Sequence, residues 1–141
     1  MQELMVNESN IKEKIHNIRN QQVMLDRNLA ELYGVETKVF NQAVKRNIKR
    51  FPQNYRFQLN NKEKNQLVTN CDWLNSLKHS SSLPYVFTEQ GVSMLSAILK
   101  SDKAIDVSIK IIDSFVSKRK QISQNIPMFE IESFDILKRL N

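Results

Sequence analysis

The stretch "DRNLAELYGVETKVFNQAVKRNIKRFP", residues 26–52, leaves the fewest conformational choices in this chain of 141 residues. Two segments of helical period meet at Gly34, one of only two glycines in the sequence. Asp26 is a suitable N-cap for the first segment, and Gly34 can take the left-handed conformation that closes a helix. Thr37 is a suitable cap for the second segment, which runs to about Arg50 before Pro52 stops it. At about 100° per residue, Phe40, Ala43, Val44, Ile48 and Phe51 fall on one face of that second helix. Lys38, Asn41, Gln42, Lys45, Arg46 and Lys49 fall on the other. The apolar face needs a core beneath it, and Leu29, Ala30 and Leu32 of the first helix are the nearest supply. Ala30 is small enough for a helix crossing, and Val35, Phe40 and Val44 close the contact. These features predict a helix-turn-helix over residues 26–50.

With two glycines and three prolines, the chain is poorly suited to a turn-rich β sandwich. The expected class is α+β, mainly α: a winged-helix-like domain whose helix-turn-helix is accompanied by short β-strands. "ESNIKEKIHNIRN" spaces Ile11, Ile15 and Ile18 as a short amphipathic helix, and "QQVML" follows as a strand. "YRFQL" reads as another strand and "NKEKNQLVTN" as a helix. Residues 70–83 have no period and read as a surface loop anchored by Trp73 or Leu74, before the strand "PYVFT". Thr88 caps a helix bearing Met94, Leu95, Ile98 and Leu99. Gly91 near its start costs about 1 kcal/mol relative to alanine and permits close packing. Residues 102–119 form the strongest helix, with Ile105, Ile109, Ile112, Phe115 and Val116 along one stripe. The chain divides into an N-terminal helix and lead-in (1–22), a core domain (23–120) and a C-terminal tail (121–141).

The formal charge of +6 is unevenly spread. Residues 1–34 carry four basic and five acidic groups, whereas residues 37–50 carry Lys38, Lys45, Arg46, Lys49 and Arg50 with no acid. Clustering of this kind is the electrostatic footprint of a nucleic-acid binder. Many helices simply carry a solvated basic face. Here the run coincides with a capped helix, the Ala30–Gly34 spacing and a cluster of amides on the same face. Asn41 and Gln42 suit bidentate pairing with adenine, and Arg46 or a lysine suits guanine. Lys49 and Arg50 are placed for phosphates, and Thr37 and Lys38 open the helix. The expected DNA-binding set is therefore Thr37, Lys38, Asn41, Gln42, Lys45, Arg46, Lys49 and Arg50.

"VMLDRNLAELYGVETKVFNQAVKRNIKRFPQNYRFQL", followed by "PYVFTEQGVSMLSAIL" and "DKAIDVSIKIIDSFV", resembles the ORF-six-N type of phage and prophage DNA-binding domain. That type is related to the KilA-N group found at the N-termini of antirepressors. The likeness spans about residues 15–120, with "KRNIKRFP" and "FTEQGVSML" its most specific blocks. It implies a cytoplasmic, bacterial or phage DNA-binding module that needs no cofactor and regulates transcription through double-stranded DNA.

Other chemistry is thinly represented. His16, His79 and the single Cys71 make a poor metal set, with no CxxC or HxxxH spacing, so no metal is expected. Cys71 with His79 lacks a third orienting group, and no glycine-rich phosphate loop or acid cluster exists, so no enzyme activity is expected. Tyr33, Tyr55 and Phe57 read as packing residues rather than stacking platforms. "SKRK" at 117–120 reads as a helix C-terminus complementing its dipole, and "KHSSS" at 78–82 as a flexible loop. No apolar run approaches the roughly 18 residues that cross a bilayer, so no membrane partner is expected. Operators are commonly read by dimers, and the apolar faces of 102–119 and 129–140 are candidates for a homodimer contact; the competing explanation is that they complete the monomer's own core. The alternative function is an antirepressor that binds a repressor protein through Phe129, Ile131, Phe134 and Leu137 and does not touch DNA.

Overall fold

The computed structural model describes residues 8–71 and 74–124. Within them lie helix α1 (Glu8–Glu13), strands β1 (Ile15–Ile18) and β2 (Gln21–Leu25), and helices α2 (Asp26–Tyr33) and α3 (Thr37–Arg46). A 3-10 turn (Ile48–Arg50), strand β3 (Arg56–Gln58), helices α4 (Asn61–Asn70) and α5 (Asn75–Lys78), and strand β4 (Tyr85–Phe87) follow. Helices α6 (Glu89–Leu99) and α7 (Asp102–Gln124) complete the order. The architecture is α+β and mainly helical, around an antiparallel four-stranded sheet of order β1-β2-β4-β3.

The sheet is buried on both faces. Met24 pairs with Ile15 and with Phe87, and all three face a core completed by α1, α2, α3, α6 and α7. Val23, Leu25, Phe57 and Val86 face the opposite side, under Leu67 of α4 and Leu74 and Leu77 around α5. Period-two alternation thus sends successive residues of each short strand into two different cores.

Several sequence expectations need correction here. The helix expected across Ile11, Ile15 and Ile18 ends at Glu13, and the two later isoleucines belong to β1. Arg19 and Asn20 both have positive φ, 54° and 61°, as a two-residue type I′ hairpin turn requires. Arg19 then reaches across to Glu63 with Nε and Nη2, at 2.8 and 2.9 Å, and lies 4.4 Å from the Phe57 ring centroid. Its hydrogen bond holds the Glu63 carboxyl below the usual carboxylate range. That glutamate also completes a capping box with Asn60, which starts α4. The loop expected over 70–83 contains the short helix α5, with Leu74 and Leu77 buried beneath it. Trp73 lies outside the described residues.

The long helix continues past 119 to Gln124. Its buried side is Ala104, Val107, Ser108, Ile111, Ser114 and Phe115. Of the expected stripe, Ile105 and Ile109 are exposed, whereas Phe115 is buried and Ile112 packs against the core. Lys118 lies within this helix rather than at its end. Its ammonium donates to the carbonyls of Lys12, at 2.9 Å, and Ile15, tying α7 to the close of α1. The rest of the tail, 125–141, lies outside the described residues. The expectations for α4, β4 and α6 hold: Thr88 caps α6, its hydroxyl accepting from Gly91 N. Tyr33 and Phe57 are packing residues, both buried.

Candidate nucleic-acid interface

Helix α2 buries Leu29, Ala30, Leu32 and Tyr33 and stops at Gly34, whose φ of 75° is left-handed. Gly34 N donates to Glu31 O at 3.1 Å and Val35 N to Ala30 O at 3.0 Å, satisfying carbonyls that the helix end would otherwise leave open. A side chain at Gly34 would be strained by this backbone and would meet Lys103 Nζ within 2.9 Å. The other cap expectations are displaced by one residue. Asp26 and Thr37 are the first residues of their helices, and Leu25 and Glu36 are the N-caps, neither with a side-chain cap bond.

Helix α3 is fastened from beneath by aromatic rings. Phe40 packs against Tyr33 at 6.4 Å and edge-on against Phe87 at 5.5 Å. Phe51, after the turn, meets Phe87 at 5.8 Å. Val44 is fully buried beside them. The helix does not run to Arg50. Asn47 Nδ2 bonds back to Ala43 O at 2.8 Å, and the chain tightens into the 3-10 turn. Ile48 therefore points outward, 48% exposed, and is not part of the apolar face to which the sequence assigned it.

Lys38, Gln42, Lys45 and Arg46 share the exposed face of α3, and Lys49 and Arg50 extend it along the exposed turn. Among the described residues no carboxylate pairs with these cations. Arg50 makes one long contact, 3.9 Å, to Met94 Sδ. Thr37 is half-buried. Asn41 is half-buried too, and its Nδ2 donates to Asp26 Oδ2 at 3.0 Å. The same carboxylate accepts from Arg27 N at 2.7 Å, so Asp26, only 5% exposed, joins α2 to α3.

Three residues escaped the sequence reading. Val39 is 51% exposed within the basic surface. Its spacing of three from Gln42 and seven from Arg46 was the available signal. Lys64 is buried, and its ammonium donates to Ser80 O and, at 3.2 Å, to Ser82 O. Its spacing of three from the buried Leu67 marks the inward face of α4. Gln58 Nε2 adds a bond to Leu83 O at 3.1 Å. The loop at 80–83, expected to be free, is thus held on two sides. It faces Thr37, Lys38 and Asn41 across an open cleft of about 540 Å³.

Among the described residues, no three His, Cys, Asp or Glu side chains converge as metal ligands, and no helix is long and apolar enough to cross a membrane. Comparison with curated proteins and with solved structures finds no match. The ORF6N domain family matches residues 13–98, from the end of α1 to the last turns of α6. This is a shorter span than the resemblance suggested, and the "DKAIDVSIKIIDSFV" block of α7 lies beyond it. The match covers more than half of the chain, which therefore belongs to the ORF6N domain family.

Proposed function

We propose that this ORF6N-domain protein is a sequence-dependent double-stranded DNA-binding regulator of the phage and prophage type, working in the cytoplasm without cofactor or metal. Helices α2 and α3 act as the helix-turn-helix, and α3 enters the major groove. The observation that carries this reading is the set of cations on α3 and its following turn, all exposed and, among the described residues, none paired with a carboxylate. A solvated helix face usually interleaves acids with bases. This one keeps its whole positive potential for a polyanion.

Within that surface Lys38, Lys45, Lys49 and Arg50 neutralise phosphates, while Gln42 and Arg46 address base edges. Val39 offers an apolar contact of the kind a thymine methyl accepts. Asn41, engaged with Asp26, sets the angle between the helices rather than reading a base.

The test is a salt titration of binding to mixed genomic duplex DNA, by wild type and a Lys45→Glu/Arg46→Glu variant. With about four phosphate-directed charges, the wild-type log affinity falls against log salt with a slope near −4. The variant, still folded by circular dichroism, loses roughly 100-fold in affinity or more. Equal binding by the two proteins, or none by either at low salt, would refute the reading and direct attention to a protein partner.

A further inference from the structure

The loop that precedes β4 turns its carbonyls toward the body of the protein. The buried Lys64 ammonium donates to those of Ser80 and Ser82, Gln58 Nε2 to that of Leu83, and Leu59 N to that of Pro84 at 3.0 Å. Four of the five acceptors between residues 80 and 84 are thus engaged from within. The end of the loop is also tied to α3, because Tyr85 N and Asn41 Nδ2 both donate to Asp26 Oδ2, at 3.5 and 3.0 Å. Hydrogen bonds therefore set the offset between loop and helix. Burying an ammonium is expensive unless it is fully partnered, and here that charge holds a polar surface loop in place. Ser81 and Ser82 remain exposed on the outer side, and residues 73–88 contain no acid.

The open cleft between loop and helix is lined by Thr37 and Lys38 on the side of α3, by Ser80 and Ser82 on the side of the loop, and by Arg27. Among the described residues Asp26 is the only carboxylate in this lining, and both its oxygens already accept hydrogen bonds. The cleft thus offers a ligand cations and hydroxyl donors, with the loop's carbonyls turned away. That chemistry fits an anion with several acceptor oxygens. The cleft borders the exposed face of α3 at Lys38, where a DNA strand flanking the groove would pass. We infer that it seats one phosphodiester of that strand, held between Lys38 and the serine hydroxyls of residues 80–82. The loop is then a second wall of the DNA-binding surface, and the seated phosphate fixes the register of α3 in the groove. This inference rests on the reading of α3 as the DNA-binding helix.

Binding of the full chain to mixed genomic duplex DNA provides the test. Ser82→Asp sets a carboxylate against the seated phosphate and weakens binding by roughly tenfold or more. Ser82→Ala, which removes one hydroxyl donor, weakens it roughly two- to threefold. Gln121→Glu adds the same charge at an exposed position near the end of α7 and changes affinity by less than roughly twofold. With a benzophenone amino acid in place of Ser81, ultraviolet light attaches the loop to the duplex, and Lys45→Glu/Arg46→Glu abolishes the attachment. Suppose the wild type binds and Lys45→Glu/Arg46→Glu does not. Ser82→Asp binding like Gln121→Glu, or no attachment from position 81, then overturns the inference while the reading of α3 stands. If the wild type does not bind, or the Lys45→Glu/Arg46→Glu variant binds equally, the reading of α3 fails and the inference falls with it.

Discussion

Replacing Gly91 with alanine gives the most direct reading of how α6 is seated. On an exposed helix the change would stabilise by about 1 kcal/mol, because alanine loses less backbone freedom on folding. Here a Cβ at position 91 would lie 2.2 Å from the carbonyl oxygen of Tyr55 and 3.1 Å from its carbonyl carbon. Both atoms are backbone, so no side chain can rotate away. The oxygen is also engaged: it accepts from Thr88 N at 3.0 Å and shares the single Thr88 hydroxyl proton, at 3.3 Å, with Asn54 O at 2.9 Å, the bonds that dock α6 beside β3. Restoring van der Waals distance means opening the contact by roughly 1 Å, which loosens both bonds, each contributing about 1 kcal/mol. Overpacking strain adds about 1–3 kcal/mol. After the helix-propensity gain is subtracted, Gly91→Ala destabilises by roughly 2–4 kcal/mol. For a domain of this size the melting temperature falls by about 10 °C. Thermal unfolding followed by circular dichroism measures this, with Ser93→Ala, on the exposed side of the same helix, as the neutral control. A Gly91→Ala protein as stable as wild type would show that α6 does not rest on the Tyr55 carbonyl.

Other perturbations test other joints. Tyr33 Oη and Ser108 Oγ are 2.5 Å apart in the core, and burial pushes the Tyr33 phenol up to about 12. Tyr33→Phe should cost about 1–2 kcal/mol by leaving the serine unpaired, and a double-mutant cycle with Ser108→Ala should show coupling. Urea unfolding of the three variants measures it, and additive losses would exclude the bond as a stabilising contact. His16 is held down to about 4, first by burial and then by the nearby Lys118 ammonium. The unfolded imidazole takes up its proton near pH 6.5, so between that pH and 4 the unfolded state binds more protons. Stability should therefore fall as pH drops through this window, by roughly 2 kcal/mol after allowance for solvent screening. Urea unfolding at about pH 7 and at pH 4.5 should show a smaller difference for His16→Gln than for wild type. Asn41→Ala removes the amide donor to the buried Asp26 carboxylate and should cost about 1–2 kcal/mol of stability. Gln42→Ala should leave stability within about 0.5 kcal/mol of wild type and, on the proposed function, weaken DNA binding. The reverse pattern would exchange the roles of the two amides.

The parts of the fold legible in the sequence are those whose signals are local. Gly34 closing α2, Thr88 opening α6 and Pro52 following the end of the 3-10 turn each follow from the conformational range of one residue. The N-terminal segment failed for a physical reason. Ile11, Ile15 and Ile18 are spaced for a helix, but pairing of Ile15 with Met24 and a turn at Arg19 and Asn20 place the last two on opposite faces of a sheet. That choice is made by β2, so no window on the segment itself contains it. Helix α7 illustrates another limit. Periodicity finds both of its apolar stripes and cannot rank them. The isoleucine-rich stripe is the one that stands out in the sequence, yet the side carrying Ala104, Ser108 and Ser114 is the buried one. Small residues let neighbouring helices approach, and Ser108 is the partner that Tyr33 of α2 requires.

The candidate site divides along the same line. A lysine or arginine without buried partners keeps its charge in water, so a wheel drawn on the α3 sequence already puts Lys38, Lys45 and Arg46 where the structure has them. An amide carries no such constraint, because it is as well satisfied against a buried carboxylate as in a groove of DNA. Gln42 sits amid the cations and stays outside. Asn41 stands at the edge of the wheel, and its placement depends on Asp26, fifteen residues earlier in the chain. As a cap, that aspartate would serve only the start of its own helix. One residue further in, it spends Oδ1 on Arg27 N and turns Oδ2 toward Asn41. A shift of one position at the start of α2 thus converts a would-be reader of adenine into a strut between the helices. On the proposed function, that conversion leaves discrimination between bases to Gln42 and Arg46, with Val39 exposed on the same face.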